Sequence, residues 1–529
     1  MSSIVPVTVG KHTYLYESFS YRDAKGKPRN KRRTVGKLDP STGRPIYKPE
    51  YVERMEKEGT PIDASLLQTV FTTKEIAGSS IRERGVFYLL HEIAVTCELL
   101  DALKESVPRH WQELFVLACY LVASGDPFMY CENWVKGTEC LSVGSMSSQR
   151  ISELLSQVTY QERQRFYQTW SRLRREKEYL ALDITSVSSY SQLIEEVEWG
   201  YNRDHEELPQ INLCLLMGET SRLPVYQYLY SGSVKDVSTL ETTLSTFDSL
   251  TGGKPILLVM DKGFYSQRNI NWMLNKPHLR FLIAVPFTAG IAQKNVVSES
   301  KDIDQVSHTI VLGKDSLRGV TKTRSWNTDQ NLYFHVYYHV LKAQRIRESL
   351  FAHVAMLKEE ALTNPEKALK QTESMKYLII RRSEKQEAGY TVNIRQEVID
   401  KQLRHAGWMV LISNQVSNAK EALRIYRDKD VVEKGFLRYK NSLDLGRLRV
   451  HKPENMHNKT FAGFLSLILL SFIHQKMVEH ELYQKMTLRQ LLLTLSTLRV
   501  QEINGVKIQS PLTRQQREIY KVLGVKEPV

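Results

Sequence analysis

Between Tyr179 and Pro286 the chain lays down five apolar stretches of strand length in an order few architectures can absorb. YLALDIT, INLCLLMG and PVYQYLYSGS follow one another directly. A helical segment VSTLETTLSTFDSL comes next, then PILLVM, the helical SQRNINWMLN, and finally FLIAVP. Short runs this rich in branched and aromatic residues, bounded by turn formers, read as buried strands, and the two amphipathic intervals read as helices.

Three sequential strands, a helix, a strand, a helix and a strand is the order of an RNase H-like fold. The expected class is therefore α/β, an RNase H-like mixed sheet. Between Phe287 and Gly407 the order is interrupted: SHTIVLG, NLYFHVYYHV, KYLIIRR and GYTVNI alternate with a charged helix, LKAQRIRESLFAHVAMLKEEAL, which suggests an inserted, mostly β subdomain. WMVLISN then returns to the core. Upstream, Thr13 to Tyr21 reads as a strand, Lys25-Gly-Lys-Pro as a turn and Lys31-Arg-Arg-Thr-Val as a returning strand. Pro40 to Pro61, rich in Pro, Gly and charge, reads as a linker. Ile76 to Lys177 is helical in pattern, with an N-cap expected at Ser148. The expected organisation is a basic β-hairpin arm and linker (1–62), a helical module (63–177), the first part of the catalytic core (178–286), the β-rich insertion (287–407), the second part of the core (408–476) and a C-terminal helical tail (477–529).

Lys and Arg exceed Asp and Glu by 73 − 59 = 14, and the isoelectric point is about 9.3. Such an excess favours a polyanionic partner, nucleic acid before an anionic membrane. The hairpin concentrates charge: Lys31, Arg32 and Arg33, with Lys25, Lys27 and Arg29, make either a phosphate-gripping arm or a solubilising loop. The helical module suits either DNA binding or plain packing on the core. Five cysteines without a C-x-x-C pair fit buried thiols in a reducing compartment. MSSIVPVTVG lacks the basic and apolar regions of a signal peptide, and the apolar run Phe461 to Ile473 is too short to span a bilayer. A cytoplasmic protein with no membrane partner is the expectation.

Chemistry concentrates in three places. Asp183 closes YLALD and Asp261 closes ILLVMD, each where a strand is expected to end. The third is Ala422 to Asn441, ALRIYRDKDVVEKGFLRYKN, which reads as one helix. At about 100° per residue Tyr426, Lys429, Glu433 and Lys440 share a face, while Ile425, Val432, Phe436 and Tyr439 form an apolar stripe beside it. Carboxylates crowded together disfavour one another's ionisation, and a divalent cation resolves this. Hard oxygen ligands select Mg²⁺, or Mn²⁺ in its place, over zinc, and two such ions suit in-line displacement at phosphorus. Lys429, Lys440 and Tyr426 would hold phosphate oxygens.

The boxes D-I-T at Asp183, DKGFYS at Asp261 and Y-x2-K-x3-E-x6-K across Tyr426, Lys429, Glu433 and Lys440 resemble those of DDE transposases of bacterial insertion sequences, in the group with the Y-x2-R-x3-E-x6-K (YREK) signature. GYNRDHEELPQINLCLL is similar to that group as well, and the likeness covers roughly Tyr179 to Lys476. Lys429 stands where the group carries Arg, keeping the charge but losing the bidentate fork. The resemblance implies an RNase H-like catalytic domain with a β-rich insertion, a metal-binding catalytic triad of Asp183, Asp261 and Glu433, and transposon-end contacts from Tyr426, Lys429 and Lys440. It further implies a prokaryotic, nucleoid-associated enzyme that cuts double-stranded DNA at terminal inverted repeats and joins the 3′ ends to target DNA, as at least a dimer on paired ends.

Some members of the group form a hairpin DNA intermediate, with a Trp of the insertion stacked on a flipped base. Trp326 is the candidate here, and a core tryptophan is the alternative. His205, His335 and His339 lack metal-ligand spacing and read as strand or surface residues. Two other functions remain open on the same residues: a nuclease that cuts without joining, and a catalytically silent DNA-binding protein.

Overall fold

Alternating side chains pair the N-terminal strands. β1 (Ser3–Val9), β2 (His12–Arg22), β3 (Pro28–Leu38) and β4 (Pro45–Tyr47) form an antiparallel sheet in that order. The computed structural model describes residues 3–10, 12–40, 44–60, 62, 78–173, 179–251, 255–328, 330–383, 389–503 and 506–528. It divides into two units, Met1–Arg82 with Val500–Ser510, and Glu83–Arg499 with Pro511–Val529.

In the first unit the expected hairpin is two strands of four. The expected linker is also structured: β4 pairs with β3, and α1 (Pro49–Lys57) buries Tyr51 against Leu15 and Val35. Its Pro and Gly content masked a helix whose proline sits harmlessly in the first turn. The boundary expected at 63, the start of the helical stretch at Ile76 and its basic end, 174–177, lie outside the described residues. β5 (Ser80–Glu83) joins a three-stranded sheet with a C-terminal ribbon described below.

The second unit begins with helices α2 (Gly85–Thr96), α3 (Leu99–Ser106), α4 (Trp111–Ala123), α5 (Cys131–Gly137), α6 (Ser148–Gln157) and α7 (Tyr160–Leu173). The N-cap of α6 is Ser147, one residue before the expected Ser148, because its hydroxyl accepts from the Arg150 N–H. These helices share one apolar core with the strands that follow.

β6 (Tyr179–Ser188), β7 (Gln210–Gly218), β8 (Pro224–Ser231), α8 (Asp236–Thr251), β9 (Ile256–Met260), α9 (Gln267–Leu274) and β10 (Leu279–Ala284) reproduce the order read from the sequence. In space the strands run β8-β7-β6-β9-β10, with β6, β7 and β8 antiparallel and β9 parallel to both β6 and β10.

The insertion departs from expectation. After α10 (Gly290–Glu299), strands β11 (Thr309–Leu312), β12 (Asp315–Ser325) and β13 (Asn331–Tyr338) extend the main sheet instead of forming a body of their own. The remainder is largely helical: α11 (Val340–Thr363), α12 (Pro365–Lys370), α13 (Thr372–Tyr377) and α14 (Gln396–Leu403) surround a single ribbon of β14 (Leu378–Arg382) and β15 (Tyr390–Ile394) around a small separate core. β16 (Trp408–Ser413) then lies between β13 and β10, closing a nine-stranded sheet.

The helix expected over Ala422 to Asn441 is three pieces: α15 (Ala419–Asp428), α16 (Asp430–Leu437) and a π-helical turn, Arg438–Ser442. Asn418 caps the first, accepting from the N–H groups of Lys420 and Glu421. The apolar stripe of Ile425, Val432, Phe436 and Tyr439 is buried.

α17 (Pro453–Glu479) is twice as long as its apolar run suggested. It is long and apolar enough to cross a membrane, yet 72% of its most apolar window is buried inside the protein. Its Asn458 amide donates to the carbonyls of Leu155 and Val158, tying it to α6. The C-terminal segment is not wholly helical: along the chain, α18 (Leu488–Ser496) precedes and α19 (Arg514–Val522) follows the ribbon of β17 (Arg499–Ile503) and β18 (Val506–Gln509). Of the five cysteines all but Cys140 are buried.

Candidate active site

The register of two parallel strands creates the site. β6 and β9 pair from Tyr179↔Leu257 through Leu182↔Met260. One step further would set Asp183 beside Asp261, but β9 ends there and the chain turns away through Lys262–Phe264. The backbones at Asp183 and Asp261 thus stand roughly one strand spacing of 5 Å apart, where the strands part. Asp183 is not at a strand end, as its sequence context suggested. β6 continues to Ser188 because β7 pairs with it along that whole length.

Glu433 reaches the same place from α16, which lies over β6 and β7. A Cβ at Gly435 would stand 2.3 Å from Met217 Sδ, so glycine is what lets the helix approach β7 this closely. Asp183, Asp261 and Glu433 line one cavity of about 390 Å³, with Lys440 at its wall.

The remaining signature residues bind the carboxylates in this structure. Tyr426 donates its phenolic hydrogen to Asp261 Oδ1 at 2.8 Å. Lys429, 5% exposed, places Nζ 3.1 Å from Glu433 Oε1. Burial opposes its ammonium, but Asp183, Glu433 and Asp261 outweigh that and raise its pKa above the ordinary value. Burial lifts the Asp183 carboxyl to about 6, helped by the charge of Asp261 and opposed by Lys429, the Ile184 N–H and Arg203. Burial, then the charge and hydrogen bond of Asp261, pushes the Tyr426 phenol well up.

Three residues with no role assigned from the sequence also line the cavity: Arg203, Asp204 and Asp236. The first two belong to GYNRDHEELPQ, a signal noted only as a likeness. The buried hydroxyls of β6 hold that loop in place. Ser186 Oγ accepts from the Arg203 N–H at 3.2 Å, and Asn202 donates to Ser188 Oγ at 3.1 Å. Arg203 pairs with Asp236 and Lys440 with Asp204, so each cation facing the cavity already has a carboxylate.

Other candidates stand elsewhere. Lys31, Arg32 and Arg33 lie exposed on β3 of the first unit, with Arg33 drawn toward Glu17 at 3.6 Å. Trp326, in the turn between β12 and β13, donates to Asn271 Oδ1 at 2.7 Å. Strand register puts it beside the starts of β9 and β10, at the end of the sheet opposite Asp261. His335 is buried in β13, its Nδ1 hydrogen-bonded with Thr321 Oγ1 at 2.8 Å, and His339 caps α11. His205 is exposed in the GYNRDH loop.

The donor set fits hard divalent ions: among the described residues three signature carboxylates, and no thiol or imidazole, line the cavity. The raised pKa of Asp183 comes first from burial, with Lys429 opposing it and the Asp261 charge adding to it. Among the described residues no three acidic, His or Cys side chains are close enough to share one ion. Glu433 is held by Lys429 at 3.1 Å, and its side chain is 61% exposed.

A family model described as "Transposase DDE domain" matches residues 174–469. No curated protein matches the chain. Among solved structures, the chain is similar to a piggyBac transposase in a synaptic complex with hairpin DNA, seen by cryo-EM. That likeness has 10% identity and a TM-score of 0.34, and covers 84% of this chain and 75% of that one.

Proposed function

The chain belongs to the transposase DDE domain family, and from that premise we propose that it binds the terminal inverted repeats of a mobile element, cleaves DNA there and joins the 3′ ends to target DNA. We place it in the YREK-signature group, with Lys429 in the arginine position, and read its core as RNase H-like. The order β8-β7-β6-β9-β10, antiparallel in its first three strands and parallel in its last two pairings, supports that reading. It acts on double-stranded DNA in a prokaryotic nucleoid, as at least a dimer on paired ends.

One observation carries the proposal: Asp183, Asp261 and Glu433, from three separate elements, line one cavity. These three would hold Mg²⁺ or Mn²⁺, two ions per site. The chemistry such ions would supply there is activation of the attacking oxygen and stabilisation of the leaving one during displacement at phosphorus. The chain's own residues orient the reactants. Tyr426 fixes the Asp261 carboxylate, and Lys429 and Lys440 hold phosphate oxygens. Lys440 exchanges Asp204 for DNA, and Arg203, steadied by Asp236, faces the same strand.

The test uses duplexes made from the DNA that flanks the reading frame, pre-cut at the repeat ends and incubated with plasmid and Mg²⁺. Joined products are expected from the wild type and none from Asp183→Asn, Asp261→Asn or Glu433→Gln. Full activity in all three variants would overturn the site. Cleavage without joining marks a nuclease, and binding without either marks a catalytically silent DNA-binding protein.

A further inference from the structure

A second cavity, of about 290 Å³, lies on the flank of α16 that adjoins the catalytic face. Five elements wall it: the β7–β8 turn supplies Arg222, α15 supplies Arg424, α16 supplies Lys434, the π turn supplies Arg438 and α17 supplies His474. Arg438 is 9% exposed, and its Nε and Nη2 find no hydrogen-bond partner. Among the described residues no carboxylate pairs with it.

Burial, opposed by the Tyr483 phenol and reinforced by Arg222, takes the Arg438 pKa down to about 10. Burial, then Arg438, Arg222 and Lys434, pushes the His474 imidazole down to about 4. Asp428 and Asp430 also line the cavity, but they are engaged at its mouth by Arg424 at 3.4 Å and Lys434 at 2.7 Å. Glu219 is the third carboxylate. A buried guanidinium without a counter-ion is a state proteins rarely keep, because desolvating a charge is costly unless it is paired. Guanidinium forks match phosphate oxygens in geometry and charge.

We propose that this cavity is a phosphate-binding site in which Arg438 and Arg222 clasp a phosphoryl anion, supplied either by the DNA backbone or as free phosphate. The DNA source rests on the function proposed above; the site itself does not. Arg438 opens the π turn that carries Lys440 and follows Glu433 on the same helical path. A phosphate held here would therefore steady the segment that presents both residues to the catalytic cavity.

The experiment compares the full-length wild type with Arg438→Met and Arg222→Asn in EDTA, so that no catalysis is read. Asn tolerates the left-handed backbone of Arg222, whose φ is 58°. Inorganic phosphate, against chloride at equal ionic strength, should raise the wild-type Tm by about 3 °C or more, and that of Arg438→Met by less than about 1 °C. Arg438→Met should unfold no lower than wild type in chloride, since it buries no charge, and Arg222→Asn should show a reduced phosphate response.

The second arm measures duplex DNA affinity against salt. A backbone source predicts a log–log salt slope smaller by about one, with about 3- to 10-fold weaker binding, in both variants. A phosphate response lost without any change in that slope identifies free phosphate as the ligand. Equal responses of wild type and variants in both arms overturn the site. If Arg438→Met fails to fold, Arg222→Asn decides by the same two criteria. A wild type that ignores DNA altogether would sink the proposed function and leave the phosphate arm to judge the site.

Discussion

The phenol of Tyr426 and the carboxylate of Asp261, 165 residues apart in sequence, are joined by a 2.8 Å hydrogen bond. It ties α15, the helix that leads directly into the one bearing Glu433, to the end of β9 beside Asp261.

Tyr426→Phe removes that bond and nothing else of size. A hydrogen bond to a charged group contributes about 1.5–3 kcal/mol, which corresponds to a roughly 10- to 100-fold loss of cleavage rate. Single-turnover cleavage at saturating DNA should show the loss, together with a higher Mg²⁺ requirement. A variant as fast as wild type at every Mg²⁺ concentration would show the bond to be incidental.

Lys429 supplies positive charge to Asp183, Glu433 and Asp261. Lys429→Met leaves those carboxylates repelling one another, so the variant should depend more on added cation for stability. Thermal unfolding with and without Mg²⁺ tests this, and the Mg²⁺-induced rise in Tm should be larger in the variant. Equal rises would mean that Lys429 is not their counter-charge.

Gly435 leaves no room for a methyl group, since a Cβ there meets the Met217 sulfur at 2.3 Å. Gly435→Ala should destabilise the fold by about 1–3 kcal/mol in urea titration despite the better helix propensity of alanine. Coupling it with Met217→Ala should recover much of that loss. Failure of the double variant to recover would point to a cause other than this contact.

His335 stays neutral in the fold because burial lowers its pKa from 6.5 to about 4. The unfolded chain takes up that proton below pH 6.5 and the native one does not until about pH 4, so stability falls as pH drops through this window. By pH 5 the loss from this residue should reach about 2 kcal/mol. Urea midpoints at pH 7 and pH 5 should differ more for wild type than for His335→Gln. Parallel pH dependence in the two proteins would refute the assignment.

Much of this protein could be read from local pattern. The seven elements from Tyr179 to Pro286 appear in the order their periodicity required, and the apolar stripe of Ile425, Val432, Phe436 and Tyr439 is buried. Both readings depend only on which side chains recur at a strand's or a helix's spacing, a property of the chain itself. Three of the residues that line the cavity, Asp183, Asp261 and Glu433, could be singled out for the same reason, since each stands on or directly after such an element.

Where separate elements meet was decided by partners distant along the chain. β12 hides as a basic stretch because Lys322 and Arg324 punctuate it, yet Leu317 and Val320 are buried once β13 offers an edge. Pro40 to Pro61 resembled a linker until β3 and the Leu15–Val35 core gave β4 and α1 something to cover. Arg203, Asp204 and Asp236 reach the cavity lined by Asp183, Asp261 and Glu433, and Arg222 and Arg438 reach the second one, only because the sheet and α16 bring their loops and turns together. Composition and periodicity specify what each segment must bury. The three-dimensional arrangement selects which buried faces and which charges become neighbours, because that choice depends on every other segment at once.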